Sequence, residues 1–100
     1  MHRLDDLQAD VTDTAAQSPL VLVVDDDFMM RMLAREALEA GGFRVAEAAD
    51  GQDALERFAA VRPAVVLLDV VMPVMDGFAC CAALRARAEG ARVPVLMMTG

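Results

Sequence analysis

The stretch VVLLDVVMPVMDG at residues 65–77 sets an apolar run, a carboxylate and a helix start close together. The first four residues are aliphatic without a polar interruption, which is typical of a strand covered on both faces of a parallel sheet. Asp69 ends that run. Asp76 and Gly77 then provide a favourable helix start, because aspartate is a good N-cap. The stretch therefore predicts a strand, a loop and a helix, with Asp69 at the carboxyl end of the strand.

The same order of elements continues on both sides of this stretch. Apolar runs predict four strands, at residues 20–24, 43–48, 65–69 and 95–99. Apolar residues at helical spacing predict three helices between them. In chain order, their apolar stripes are expected to be Met30, Leu33, Ala34, Ala37 and Leu38; Ala54, Leu55, Phe58 and Ala59; and Phe78, Cys81, Ala82 and Leu84. This alternation indicates an α/β fold with right-handed crossovers and helices on both faces of a parallel sheet.

Composition limits the classes of function. One hundred residues provide for one domain at most, and the net charge of −7 disfavours direct binding of nucleic acid or an anionic membrane by this segment. The basic residues are all arginine, which excludes a mechanism that needs a lysine of this segment. A single histidine, His2, disfavours a Ser-His-Asp triad or a His-rich metal site. Cys80 and Cys81 are adjacent, lack metal-binding spacing and suit a reducing compartment.

The amino-terminal part differs from the rest in composition. Residues 1–18 are polar and acidic, and we expect them to form a mobile leader before a domain that covers residues 19–100. The longest apolar runs have the length of strands, and the amino terminus is acidic rather than positive. Neither a signal peptide nor a membrane span is expected, and a cytoplasmic location is predicted.

Carboxylates follow two of the predicted strands. Asp25 and Asp26 directly follow the first strand, and Asp69 is the last residue of the third. Ligands of open parallel sheets bind at the carboxyl ends of the strands, where the strand order reverses, and neighbouring strands lie about 5 Å apart. If these strands are neighbours, the three acids need a counter-charge, and Mg2+ is the usual hard cation where phosphate is handled. Thr99 ends the fourth strand and offers a hydroxyl to a phosphoryl group, and Gly100, which follows it without a side chain, offers open space.

Other aspartates have a simpler interpretation. Asp27, Asp50 and Asp76 each precede a predicted helix, and we expect them to be N-caps. Asp53 adds negative charge to the first turn of the second helix, where it is favourable.

Four stretches of the chain resemble the receiver domain of two-component response regulators. They are VLVVDDD at 21–27, ADGQDALERF at 49–58, LLDVVMPVMDG at 67–77 and PVLMMTG at 94–100. The resemblance covers residues 19–100 and implies a flavodoxin-like, doubly wound parallel sheet. It implies that Asp69 is the phosphoacceptor, and that Asp25, Asp26, Asp69 and the backbone carbonyl of Val71 bind Mg2+. By the same resemblance, Thr99 is the switch hydroxyl, Gly100 lies beside the phosphoryl group, and Pro73 and Gly77 shape the pocket floor.

The resemblance also implies partners. A sensor histidine kinase or phosphotransfer protein would donate the phosphoryl group, and an output domain outside this segment would respond. The segment is then a phosphoacceptor signalling domain rather than an enzyme, with self-phosphorylation and self-dephosphorylation expected of the intact domain. The family fold has five strands and five helices, and its fifth strand ends in a lysine that has no counterpart here. We therefore expect an incomplete receiver domain whose fourth strand favours self-association.

Two other classes of function stay open at this point. One is a non-phosphorylated interaction module, or a receiver fragment that folds only by pairing with another chain. The other is an aspartyl-phosphate hydrolase of the haloacid dehalogenase type, which also uses a strand-end aspartate and Mg2+. Such hydrolases typically carry a second aspartate two residues after the nucleophile, where this chain has Val71.

Overall fold

The computed structural model describes residues 18–72, 75–87 and 92–98. Within these ranges the strands are β1 (Leu20–Val24), β2 (Arg44–Ala48), β3 (Val65–Asp69) and β4 (Val95–Met98), and the helices are α1 (Phe28–Ala40), α2 (Gly51–Val61) and α3 (Gly77–Arg85). The predicted α/β order is confirmed, although β2 begins at Arg44 rather than at Phe43. The predicted leader, except Ser18, lies outside the described residues, as do Pro73, Thr99 and Gly100.

The four strands form one parallel sheet in the order β2-β1-β3-β4. From β1 the chain moves outward to β2, and then returns to β3 on the other side of β1. The strand order therefore reverses between β1 and β3, and their carboxyl ends lie side by side. Right-handed crossovers put α1 on one face of the sheet, and α2 and α3 on the other.

The main core lies between the sheet and helices α2 and α3. β1 is buried along its length after its first residue, as the continuous apolar run predicted. The side chains that fill this core share almost complete burial; they include Leu22, Val24, Ala54, Phe58, Val66, Leu68, Cys80 and Leu84.

Helix α3 shows a different inward face from the predicted one. Leu84 is buried as expected, but Phe78 is 64% exposed and Ala82 is also exposed. Cys80 is fully buried, whereas Cys81 is only half-buried. The reason is the close approach of Gly77 to β3, since positions 77, 80 and 84 share one face of a helix.

The predicted apolar stripe of α2 contains one residue outside the observed buried face, and α1 is more exposed than the other two helices. Ala59 was expected in the apolar stripe of α2 but is exposed, since the buried face runs through positions 51, 54, 55 and 58. Helix α1 contacts β1 and β2 yet has no buried residue, and Leu33 on its stripe is 53% exposed. In the described ranges no helix combines the length and hydrophobicity that crossing a bilayer requires.

Candidate functional site

Asp25 and Asp26 follow β1 directly and are held by local hydrogen bonds. The N–H of Asp25 donates to the carbonyl of Ala48 at 3.2 Å, which extends the pairing with β2 by one residue. Oδ1 of Asp25 accepts from the N–H of Asp27 at 2.9 Å, and Oδ1 of Asp27 caps two N–H groups in the first turn of α1. Helix α1 therefore begins immediately after the two carboxylates. Asp25 is only 7% exposed, whereas Asp26 faces solvent.

Asp69 ends β3 and is half-buried. Its Oδ1 accepts from the N–H of Val71 at 3.1 Å, the same kind of local turn that Asp25 makes. The N–H of Val70 donates to the carbonyl of Met98 at 3.0 Å, and the carbonyl of Val70 accepts from the N–H of Gly77 at 2.9 Å. The residue after Asp69 is therefore fixed both to β4 and to the start of α3.

Gly77 allows α3 to approach Asp69 closely. A Cβ atom at this position would lie 2.5 Å from the carbonyl oxygen of Asp69 and 2.7 Å from Cα of Val70. Both neighbours are backbone atoms, so they cannot move without disturbing the end of β3. Asp76 caps the same helix, since its Oδ1 accepts from the N–H of Ala79 at 2.8 Å.

The predicted helix caps are confirmed. Asp27, Asp50 and Asp76 are the N-caps of the three helices, and each side chain accepts from a backbone N–H of the first turn. Asp53 lies in the first turn of α2, as expected. These aspartates therefore have structural roles at the starts of helices, unlike the carboxylates at the ends of β1 and β3.

The carboxylates of Asp25, Asp26 and Asp69 converge at the point where the strand order reverses. Each residue offers one oxygen atom, and these atoms all lie within 4.8 Å of one another. Among the described residues the cluster takes part in no ion pair; Arg31, Arg35 and Arg57 pair with Glu39, Glu47 and Asp53 instead.

The electrostatics of the cluster favour a bound cation. The pKa of Asp25 is raised, mainly because burial disfavours the ionised form. The hydrogen bond from the Asp27 N–H opposes this shift, while repulsion from the charges of Asp69 and Asp26 adds to it. Crowded carboxylate oxygens without a basic partner are the donor set that suits a hard divalent cation such as Mg2+.

The roles predicted for the other residues of the site stay predictions. The side chain of Val71 is exposed, and its carbonyl stays a predicted Mg2+ ligand. Thr99 and Gly100 lie outside the described residues, so the switch hydroxyl and the phosphoryl-proximal backbone stay predictions.

Sequence reasoning missed Arg31. Its Nη1 donates to the carbonyl oxygen of Asp25 at 2.7 Å, and its Nε donates to Glu47 at 3.1 Å. A signal was present, because Arg31 and Arg35 lie on one helix face and Glu47 interrupts the apolar pattern of the neighbouring predicted strand.

Known proteins provide a comparison for this fold and cluster. Residues 21–100 match the family model of the response regulator receiver domain. The transcriptional regulatory protein PrrA of Mycobacterium tuberculosis is 44% identical over 84 residues, which are 84% of this chain and 36% of that protein. The response regulator MprA of Mycolicibacterium vanbaalenii is 43% identical over 79 residues, which are 79% of this chain and 33% of that protein. The chain thus spans about a third of the length of these curated relatives.

Solved structures share the fold. The chemotaxis response regulator CheY4 of Vibrio cholerae superimposes with a TM-score of 0.78 at 37% identity, covering 81% of this chain and 68% of that one. The N-terminal domain of a response regulator receiver protein from Methanoculleus marisnigri gives a TM-score of 0.77 at 37% identity, covering 79% of this chain and 64% of that one. Since the family model extends over most of the sequence and these receivers share its sheet, the chain belongs to the response regulator receiver domain family.

Proposed function

We propose that Asp69 accepts a phosphoryl group in a Mg2+-dependent reaction, and that the resulting change controls an output domain. The donor would be a sensor histidine kinase or a phosphotransfer protein, and the cytoplasm would be the compartment. The convergence of Asp25, Asp26 and Asp69 within 4.8 Å at the carboxyl ends of β1 and β3 carries this proposal. The free thiols of Cys80 and Cys81 are consistent with a reducing compartment.

Asp69 is suited to the role of nucleophile. Its Oδ1 is engaged by the N–H of Val71, which fixes the carboxylate and leaves Oδ2 for attack. A bond forms between this oxygen and phosphorus, while the bond from phosphorus to the donor's histidine nitrogen breaks and that nitrogen takes up a proton. In this scheme Asp25 and Asp26 would hold the metal together with Asp69 and the carbonyl of Val71. Mg2+, when bound, would neutralise negative charge on the phosphoryl oxygens.

Thr99 and Gly100 complete the proposal at the end of the fourth strand. The Thr99 hydroxyl would move toward the phosphoryl group and report its presence. Gly100 would leave room beside it, because it has no side chain.

Phosphorylation of the full-length protein by acetyl phosphate tests the assignment. With Mg2+ present, we expect one acyl phosphate that hydroxylamine removes, and mass spectrometry should map it to Asp69. Asp69→Asn should abolish labelling, and Asp26→Asn should raise the Mg2+ concentration that labelling requires at least tenfold. Glu56→Gln changes an exposed carboxylate of α2 and should label like the wild type. Phosphate on Asp25 or Asp26 would contradict the assignment.

A second candidate function is that of an interaction module that pairs with another chain. The outer strand of the described sheet favours it. β4 pairs with β3 on one side, and Leu96 is 56% exposed. A strand of this kind pairs readily with another chain, so residues 1–100 in isolation are expected to self-associate rather than form a stable monomer. Sedimentation would test this, and Leu96→Lys should reduce the association. Monomeric, cooperatively folding wild type would exclude it.

Membership of the receiver family argues against the hydrolase interpretation. Haloacid dehalogenases carry an aspartate two residues after the nucleophile, and Val71 occupies that position here. Labelling that accumulates to stoichiometry, with phosphate released from acetyl phosphate only as slowly as the label is lost, would distinguish a phosphoacceptor from such a hydrolase.

A further inference from the structure

Arg31 lies in the first turn of α1, beside the carboxylate cluster but not within it. Its side chain is only 15% exposed, which is low for an arginine. Nη1 donates to the carbonyl oxygen of Asp25 at 2.7 Å, and Nε donates to Oε1 of Glu47 at 3.1 Å. The guanidinium carbon also lies 5.6 Å from the ring centroid of Phe28. Three contacts therefore fix this guanidinium group, and one of them reaches the backbone of the candidate metal site.

The contacted carbonyl belongs to the peptide group that joins Asp25 to Asp26. Any rotation of this peptide would turn the two carboxylates relative to each other. The carboxylate of Asp25 is held separately, because Oδ1 accepts from the N–H of Asp27. In the part of the chain that the structure describes, no hydrogen bond from the protein orients the Asp26 side chain. Its direction therefore depends on the backbone that Arg31 contacts.

Glu47 on β2 supports Arg31 from the other side. Oε1 of Glu47 accepts from Arg31, and Oε2 accepts from Nε of Arg35 at 2.7 Å. The hydrogen bond from Arg35 lowers the pKa of Glu47, burial opposes the shift, and the bond from Arg31 adds to the lowering. Glu47 thus stays ionised at neutral pH. Arg35 makes its remaining contacts with Glu39 and the carbonyl of Val45, away from the cluster.

We propose that Arg31 is a positioning residue for the Mg2+ site, acting through the peptide between Asp25 and Asp26. This inference rests on the proposed function. The charge of Arg31 and its hydrogen bonds predict opposite effects. A positive charge beside a cation site repels Mg2+, so loss of the charge alone would tighten binding. Loss of a group that orients metal ligands weakens binding, typically by tenfold or more.

Arg31→Ala and Arg35→Ala form a matched pair for the test. Each variant removes one guanidinium and one ion pair with Glu47 from the same face of α1, but only Arg31 contacts Asp25. Calorimetric titration of the full-length protein with Mg2+, without a phosphoryl donor, should show a Kd about tenfold weaker for Arg31→Ala. Arg35→Ala should bind like the wild type, while urea unfolding shows similar loss of stability for both variants.

A conservative variant adds a second measurement. Lysine keeps the charge at position 31 but lacks the planar fork that reaches two acceptors at once. Arg31→Lys should therefore bind Mg2+ more weakly than the wild type and more tightly than Arg31→Ala. If Arg31→Ala does not fold, the comparison of Arg31→Lys with Arg35→Lys decides instead.

The outcomes separate the two proposals. A wild-type protein that binds no Mg2+ would overturn the proposed function, and the role of Arg31 with it. Wild-type binding, together with Arg31→Ala that binds Mg2+ as tightly as Arg35→Ala or more tightly, would overturn the positioning role alone. Where Arg31→Ala does not fold, an Arg31→Lys variant that binds Mg2+ as tightly as Arg35→Lys would do the same.

Discussion

Helices α2 and α3 on one face of the sheet, and α1 on the other, are attached by different kinds of contact. Phe58 of α2 and Leu84 of α3 are almost fully buried, in one core with side chains of β1 and β3. In α1 no residue is buried, and Leu33 is half exposed. Polar contacts tie α1 to the sheet instead, since Arg31 and Arg35 both pair with Glu47 of β2.

This difference separates what stabilises the fold from what serves the site. Burial of apolar side chains stabilises a fold by about 25 cal/mol per Å² removed from water, and the α2–α3 face has most of the described core. The ion pairs of Arg31 and Arg35 with Glu47 are partly exposed, and pairs near the surface contribute about 0–1 kcal/mol each. The face with α1 adds less stability, but it holds the loop of Asp25 and Asp26. The candidate site lies where these two faces meet.

The largest expected effect is the difference in stability lost when one apolar residue is truncated on each face of the sheet. Phe58→Ala should destabilise the full-length protein by about 3–5 kcal/mol, because it leaves a cavity in the core. Leu33→Ala on α1 should change the free energy of unfolding by no more than about 0.5 kcal/mol, as is usual for exposed positions. Urea denaturation measures both. Equal losses for the two variants would mean that the face with α1 is covered in the full-length protein.

A smaller effect is expected at the contact between α3 and β3. Gly77→Ala places a methyl group where the carbonyl of Asp69 lies, and we expect a loss of about 1–3 kcal/mol from overpacking. Because the displaced backbone carries Asp69, labelling by acetyl phosphate should also slow. Gln52→Ala, at an exposed position of α2, is the control and should change neither quantity. Unchanged stability of Gly77→Ala would show that the close approach can relax.

The sequence was informative where a single pattern was sufficient. The continuous run of Val21–Val24 specified a central strand, and the aspartates at strand ends specified the cluster, because parallel strands end at one edge of a sheet. The buried face of α3 was not predictable, since it depends on how closely Gly77 approaches the backbone of Asp69 at the end of β3. Phe78 was therefore assigned to the wrong face.

The sequence pattern also could not predict how exposed α1 is. An amphipathic stripe indicates which side chains prefer burial, but it does not say what covers them. The link from Arg31 to Asp25 needed the register between α1 and β2, which spacing alone does not provide. Thr99 and Gly100 stay predictions from the family resemblance.

Replacement of Asp25 should show that the site is built at some cost to stability. Its buried carboxylate has a raised pKa, so the ionised form destabilises the Mg2+-free protein at neutral pH. Asp25→Asn should therefore stabilise the protein in EDTA by about 0.5–2 kcal/mol, while Mg2+ binding weakens. Asp53→Asn replaces a helical carboxylate outside the cluster and should not stabilise. Thermal unfolding with and without Mg2+ measures both effects, and a destabilised Asp25→Asn would refute this account.

The smallest effect concerns the ion pairs of α1, and its pH dependence has the opposite sign. The pKa of Glu47 lies below its ordinary value of 4.5, mainly because Arg35 donates a hydrogen bond to the carboxylate. A carboxyl group with a lowered folded-state pKa adds stability above its unfolded value, and this stability is lost as the pH falls through the folded pKa. Glu47→Gln should therefore cost about 0.5–1 kcal/mol at neutral pH, and the difference from the wild type should vanish under acid conditions.

Asp25 provides the contrast within the same experiment. With a raised pKa, its destabilising contribution is present at neutral pH and is relieved as the pH falls through the folded value. Urea unfolding in EDTA across the acidic range should thus show both variants approaching the wild type, Glu47→Gln from below and Asp25→Asn from above. A Glu47→Gln deficit that persists in acid would mean that hydrogen bonding, rather than charge, attaches α1 to β2. The distinction between an apolar face and an electrostatic one would then fail.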